Sequence, residues 1–174
     1  MISRVAKTLF VAASAFFYTL VVFNNVTDYS SNYQFVDHVL LMDSTFPGNH
    51  AMWRAIHPTW IHTAFYVSII AWEVLSMLLT WAGTVRLLRA VGKTAAVFQS
   101  AKRLAIAGLT AGMLMWLVAF LTIGGEWFLM WQSRTWNGQD AAVSMFLVQG
   151  LILLVLLMPE AEDHERLPES SIQR

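Results

Sequence analysis

The sequence predicts an all-α polytopic membrane protein with four transmembrane helices and a short interfacial helix on one side. Three observations carry this reading. First, 57% of the 174 residues are hydrophobic and only 13% charged, against roughly 45–50% and about 25% in soluble domains. Second, four apolar runs are long enough to cross hydrocarbon. Third, Lys and Arg gather in the connection between the second and third runs. The formal net charge of zero, with no basic stripe, gives no reason to expect nucleic-acid binding. The absence of cysteine excludes a disulfide framework, thiolate catalysis and Cys-ligated zinc or iron–sulfur centres.

The first run, 8–27, follows Arg4 and Lys7, and about 20 uncharged residues suffice for a core of roughly 30 Å. Its only small triplet, Ala13-Ser14-Ala15, comes too early for signal cleavage, so an uncleaved span is expected. The far end carries Asn24, Asn25 and Asp28. Asn24 and Asp28, four apart, share a face that should look into the bundle. Residues 29–57 form the longest connection. Within it Phe35, Val39, Met42 and Phe46 follow helical spacing, with Gln34, Asp37, Leu41 and Ser44 opposite. Ser31 and Gln34 can form a capping box, and Pro47-Gly48 would stop the helix. Such a helix suits either packing over the bundle mouth or contact with the membrane surface; docking a partner is a third use.

Pro58, suited to the first helical position, opens the second span, 59–81. At about 100° per residue, His62, Tyr66, Ile69, Glu73 and Ser76 or Met77 share a face, which must be interior. Residues 83–102 then contain Arg86, Arg89, Lys93 and Lys102, with Arg103 next and no acid, whereas Arg54 is the sole Lys or Arg of 29–57. By the positive-inside rule 83–102 is expected to be a cytoplasmic loop, with both termini cytoplasmic and 29–57 and 127–140 external.

The third span, 104–125, sets Gly108, Gly112, Met115, Ala119, Thr122 and Glu126 at steps of three and four. Gly108 and Gly112 make a GxxxG pair, which lets helix backbones approach closely in lipid. An acid followed by aromatics, Glu126-Trp127-Phe128, marks a helix leaving hydrocarbon for the headgroup layer. Trp127, Trp131, Gln132, Trp136, Asn137 and Gln139 continue it as an outer rim. The fourth span, 141–158, has Gln149 as its strongly polar group and ends at Pro159. The tail, 159–174, holds Glu160, Glu162, Asp163, Glu165 and Glu169 and is expected to be solvated and disordered.

Two candidate sites follow. At the outer end Asn24, Asn25, Asp28, His62 and Glu126 fall at matching depth. They form either a small binding or proton-exchange site or a set of helix-end caps and interhelical links. Deeper lies Glu73, with Tyr66, His62 and Gln149 as companions. An acid in mid-span costs several kcal/mol unless protonated or paired, and is by default a proton relay, ion ligand or counter-ion. The structural alternative is a neutral acid bonded to Gln149 or a backbone carbonyl. Haem between paired histidines is unsupported, because only His62 lies in a span, His57 is off its face, and His38 and His50 are external. A transition-metal site fails for the same reason. No cofactor and no catalytic residue are predicted, and quinone, which suits aromatic clefts beside an acid, is left open.

The chain resembles the bacterial family of small integral membrane proteins known as domain of unknown function 2165. The matching stretches are Asn24-Asn25 with Asp28, Phe35-Val36-Asp37-His38-Val39-Leu40-Leu41-Met42-Asp43, Trp53-Arg54-Ala55-Ile56, Glu73, and above all Gly124-Gly125-Glu126-Trp127-Phe128 with Trp131-Gln132-Ser133 and Trp136-Asn137-Gly138-Gln139. They span all but the acidic tail. The resemblance implies a four-helix protein of the bacterial inner membrane and carries no activity to transfer.

Two functions compete. The favoured one is a non-catalytic accessory or assembly subunit of a larger membrane complex, partnered by another membrane protein or a second copy of itself. The alternative is a small proton-linked carrier or quinone-associated redox subunit built on Glu73, Tyr66 and His62.

Overall fold

The computed structural model describes residues 1–160; the expectation of a disordered tail falls, except for Pro159 and Glu160, outside the described residues. The chain runs through α1 (Ile2–Thr27), α2 (Tyr29–Leu41), α3 (Thr59–Ala90), α4 (Ala95–Ala101) and α5 (Arg103–Leu114). A wider helical continuation, Met115–Trp127, follows, and then α6 (Gln139–Leu157). Among the described residues four stretches are long and apolar enough to cross a membrane: α1, α3, α6, and the run Ala95–Trp127 that joins α4, α5 and the continuation.

The periphery is apolar, and small polar side chains of α3 sit in the interior beside apolar residues such as Leu87, Phe98 and Leu109. Leu9, Phe16, Leu151 and Leu154 point outward, which costs nothing where lipid replaces water. Thr80 and Ser76 are fully buried and Thr84 nearly so. Their hydroxyls donate back along α3 to Ser76 O at 2.7 Å, Trp72 O at 3.0 Å and Thr80 O at 2.9 Å. A short side chain satisfied by its own helix lets a neighbour come close. There α5 crosses α3, because a Cβ on Gly83 would meet the Ala105 backbone at 2.5–2.6 Å and one on Gly108 would meet the Thr80 nitrogen at 2.7 Å. Gly112 instead makes room for the Tyr18 hydroxyl of α1. The two glycines of the GxxxG pair therefore serve different neighbours.

Several elements differ from the sequence reading. The segment 83–102 is not a loop: α3 continues to Ala90 and α4 begins at Ala95, since Gly83 is a contact point inside a helix rather than a stop. The helix α2 starts at Tyr29, ahead of the expected capping box. It ends at Leu41, capped by Met42, whose φ of 55° lies in the left-handed region, before Pro47-Gly48 is reached. Its Val36, Val39 and Leu40 are buried against Tyr66, Phe128 and Met130, so it packs over the bundle mouth.

The largest difference lies in the third span. Over Met115–Trp127 the helix widens to i→i+5 bonding, seen in Phe128 N–H donating to Ile123 O at 3.0 Å and the Thr122 hydroxyl to Leu117 O at 2.9 Å. Wider turns change which residues share a face. The face expected at Met115, Ala119, Thr122 and Glu126 becomes Met115 and Trp116, then Phe120, then Gly124 and Gly125, while Thr122 and Glu126 turn outward.

Candidate functional site

Helices α1 and α3 are staggered. Asn25, near the C-terminal end of α1, meets Glu73, near the middle of α3: its amide donates to Glu73 Oε2 at 2.6 Å. The Tyr66 hydroxyl donates to Asn25 Oδ1 at 3.1 Å and lies 3.2 Å from Asn25 O. Tyr29 and Tyr33 of α2 hold the Tyr66 ring edge-on, at 4.7 and 5.9 Å between centroids. The result is a buried chain, Tyr66 to Asn25 to Glu73, in which Glu73 is 3% exposed and, among the described residues, has no ion-pair partner.

Because α1 stops at this level, a cavity of about 360 Å³ lies over the carboxylate. Each long element supplies part of its wall: Val21 and Asn24 from α1, Asn32, Phe35 and Val36 from α2, Ile69 from α3, Trp116 and Phe120 from the wide segment, and Ala141 from α6. Asn24 is exposed and marks the mouth. A smaller apolar cavity of about 130 Å³ shares Phe35, Val36, Ile69 and Phe120 as lining. Widened helical turns recur at functional sites, and here the widened segment supplies Trp116 and Phe120 to the cavity wall.

The residues singled out in the sequence separate into groups. Glu73 and Tyr66 are brought together, and their link is Asn25 rather than Gln149. Gln149 is buried on α6, and its Oε1 has no partner among the described residues. The expected outer cluster does not assemble. Asn25 belongs to Glu73, Asp28 is the exposed cap of α1, and Glu126 is exposed. His62 turns to α2 and the following loop: Nδ1 lies 2.5 Å from Asp37 Oδ1, and Nε2 donates to Ile56 O at 2.8 Å. Asp37 was legible only as an acid on the polar side of a predicted helix. Among the described residues no group of three His, Cys, Asp or Glu side chains is placed to hold a metal ion.

The outer rim ties loops together. Arg54 is sandwiched between the rings of Trp53, at 5.3 Å, and Trp127, at 4.9 Å, and donates to Trp127 O at 3.2 Å. Trp131 packs edge-on against Phe46, and Gln132 Oε1 accepts from Phe46 N–H at 3.0 Å. Trp136 stacks on His38 at 4.4 Å. Asn137 Oδ1 accepts from Gln139 N–H at 3.0 Å where α6 begins, and the Gln139 amide occupies the space a Cβ on Gly125 would need.

At the opposite end Glu160 is buried rather than solvated. It lies 2.6 Å from both Lys7 Nζ and Lys102 Nζ and 3.5 Å from Arg4 Nε. Both lysines also donate to Met158 O, at 2.8 and 2.9 Å. Burial pushes the Glu160 carboxyl up, but the hydrogen bonds and charges of Lys102 and Lys7 outweigh it and hold the group below its ordinary range.

These features define a multi-pass helical membrane protein with a buried carboxylate under a cavity. The chain belongs to the family of predicted small integral membrane proteins, domain of unknown function 2165, whose model matches residues 3–159. No curated protein and no solved structure matches it.

Proposed function

We propose that this protein is a small proton-linked carrier whose working group is Glu73. One observation carries the proposal: Glu73 is 3% exposed yet lines a cavity that the exposed Asn24 also lines. A purely structural acid would be sealed by its partners, whereas this one is held by Asn25 on one oxygen beneath open space. Intramembrane acids facing a cavity are where protons and ligands exchange. The accessory-subunit reading leans on the rim, where Trp53 and Phe46 stay exposed although Arg54 is engaged with Trp53 and Trp127, and Gln132 with Phe46; it leaves the cavity at Glu73 without a role. Arg4, Lys7, Lys93 and Lys102 collect at the opposite end. By the positive-inside rule that end is cytoplasmic in a bacterial inner membrane, and the cavity opens outward.

Infrared difference spectroscopy on protein in lipid, with pH stepped from acid to alkaline, tests the reading. A carboxylic C=O band should appear and disappear with pH in the wild type and be missing in Glu73→Gln. A Glu73 that ignores bulk pH would return the protein to the accessory class, for which co-purification of a partner in mild detergent is the corresponding observation.

A further inference from the structure

We infer that the Glu73 cavity takes a small organic monocation, an ammonium group carrying an alkyl or aryl body; this rests on the reading of Glu73 as an exchangeable acid. The cavity's own chemistry selects the class. Among the described residues Glu73 is the one carboxylate in its lining, and no Lys, Arg or His accompanies it. Among the described residues, the phenols of Tyr18 on α1 and Tyr29 on α2 and the exposed carboxylate of Asp28 bear on the Glu73 and Tyr66 pair. A single positive charge therefore balances the site, while a dication or an anion would leave charge uncompensated in a low-dielectric setting.

The walls specify the rest of the ligand. Trp116, Phe120 and Phe35 put aromatic side chains in the wall of the cavity that Glu73 also lines, and Val21, Val36 and Ile69 complete an apolar surface. Aromatic faces attract cations, most strongly when both are desolvated, and they accept hydrocarbon without penalty. A hydrated metal ion would gain nothing from such walls. The cavity, at about 360 Å³, lies at the small end of ligand pockets, which run from roughly 300 to 1,000 Å³, so the body is one ring or a short chain. Asn24 and Asn32 near the mouth offer amide oxygens to N–H groups. A cation entering a protonated site takes the carboxylate and releases its proton, one for one, which is the coupling a proton-linked carrier needs.

Benzyltrimethylammonium is a suitable probe, titrated calorimetrically into the full chain in detergent, with phenylacetate and benzyl alcohol as anionic and neutral controls. The cation should bind saturably and the controls should not, and a pH-indicator dye should report protons released on binding below neutral pH. Glu73→Gln should weaken binding by at least about thirtyfold and Trp116→Leu by about tenfold, with both variants melting near the wild type. Should Glu73→Gln fail to fold, acidification of the wild type must itself release the cation. Equal binding of the neutral control, or no difference between wild type and Glu73→Gln, overturns the inference. If Glu73 titrates in the infrared but no cation binds, the ligand class is wrong and the exchangeable acid stands; if it does neither, both readings fall.

Discussion

Asn25 donates to Glu73 Oε2 at 2.6 Å while accepting from the Tyr66 hydroxyl, so one amide satisfies groups from two turns of α3. Replacing it with the similarly sized Asn25→Leu strands a buried carboxyl oxygen and leaves the Tyr66 hydroxyl only the backbone Asn25 O at 3.2 Å. The expected loss is about 1–3 kcal/mol, read as a lower melting temperature in detergent. Glu73→Gln keeps an oxygen that accepts from Asn25 and should cost less. If Asn25→Leu melts with the wild type, Asn25 is not the link between the helices.

The two kinds of glycine contact predict different tolerances. A Cβ on Gly83 meets the Ala105 backbone, while one on Gly112 meets the end of the Tyr18 side chain. Backbone cannot step aside without moving a helix, but a tyrosine can shift or be shortened. Gly83→Ala should therefore destabilise by about 1–3 kcal/mol and resist rescue. Gly112→Ala should be partly rescued by Tyr18→Phe, which removes the nearest atom and leaves the ring end at 2.7 Å to shift. Additive costs in that double variant would place Tyr18 away from Gly112.

The sequence exposes the membrane architecture and the polar face of α3, because apolar length and the three-and-four spacing of His62, Tyr66 and Glu73 are local signals. It hides whatever depends on how helices slide and wind. Asn25 looks as though it belongs to an outer rim until the stagger of α1 against α3 sets it beside Glu73. Glu126 falls on the Gly108 face only if every turn has the usual pitch, and the widened turns after Leu114 rotate it outward. Glu160 reads as one more acid of a solvated tail, since nothing nearby in sequence reveals Lys7 and Lys102, which reach it from elsewhere in the chain.

The His62 ring joins α3 to Asp37 of α2 and to Ile56 O, which makes it the fastening of the 29–57 segment to α3, beside the rim contacts of Arg54 and Phe46. Asp37→Ala should loosen that segment without unfolding the bundle. Hydrogen exchange by mass spectrometry should show faster exchange in Tyr29–Leu41, with α5 and α6 unchanged. Unchanged protection of α2 would mean that the apolar contacts of Val36, Val39 and Leu40 suffice alone.

The Glu160 cluster makes stability depend on pH in a definite direction. Its carboxyl is held below the ordinary range when folded, and the unfolded value is about 4.3. A depressed acid contributes its full stabilisation above the unfolded value and loses it as pH falls through the folded one. Melting in detergent should therefore gain nothing from this group between mildly acidic and neutral pH, and should decline only in stronger acid. Glu160→Gln removes the charge opposite Lys7 and Lys102, which keep their bonds to Met158 O, and should cost about 2 kcal/mol at neutral pH. The deficit should vanish in strong acid, where the wild-type carboxyl is protonated too. A Gln variant that melts with the wild type at neutral pH would mean that Met158 O, and not the carboxylate, holds the two lysines in place.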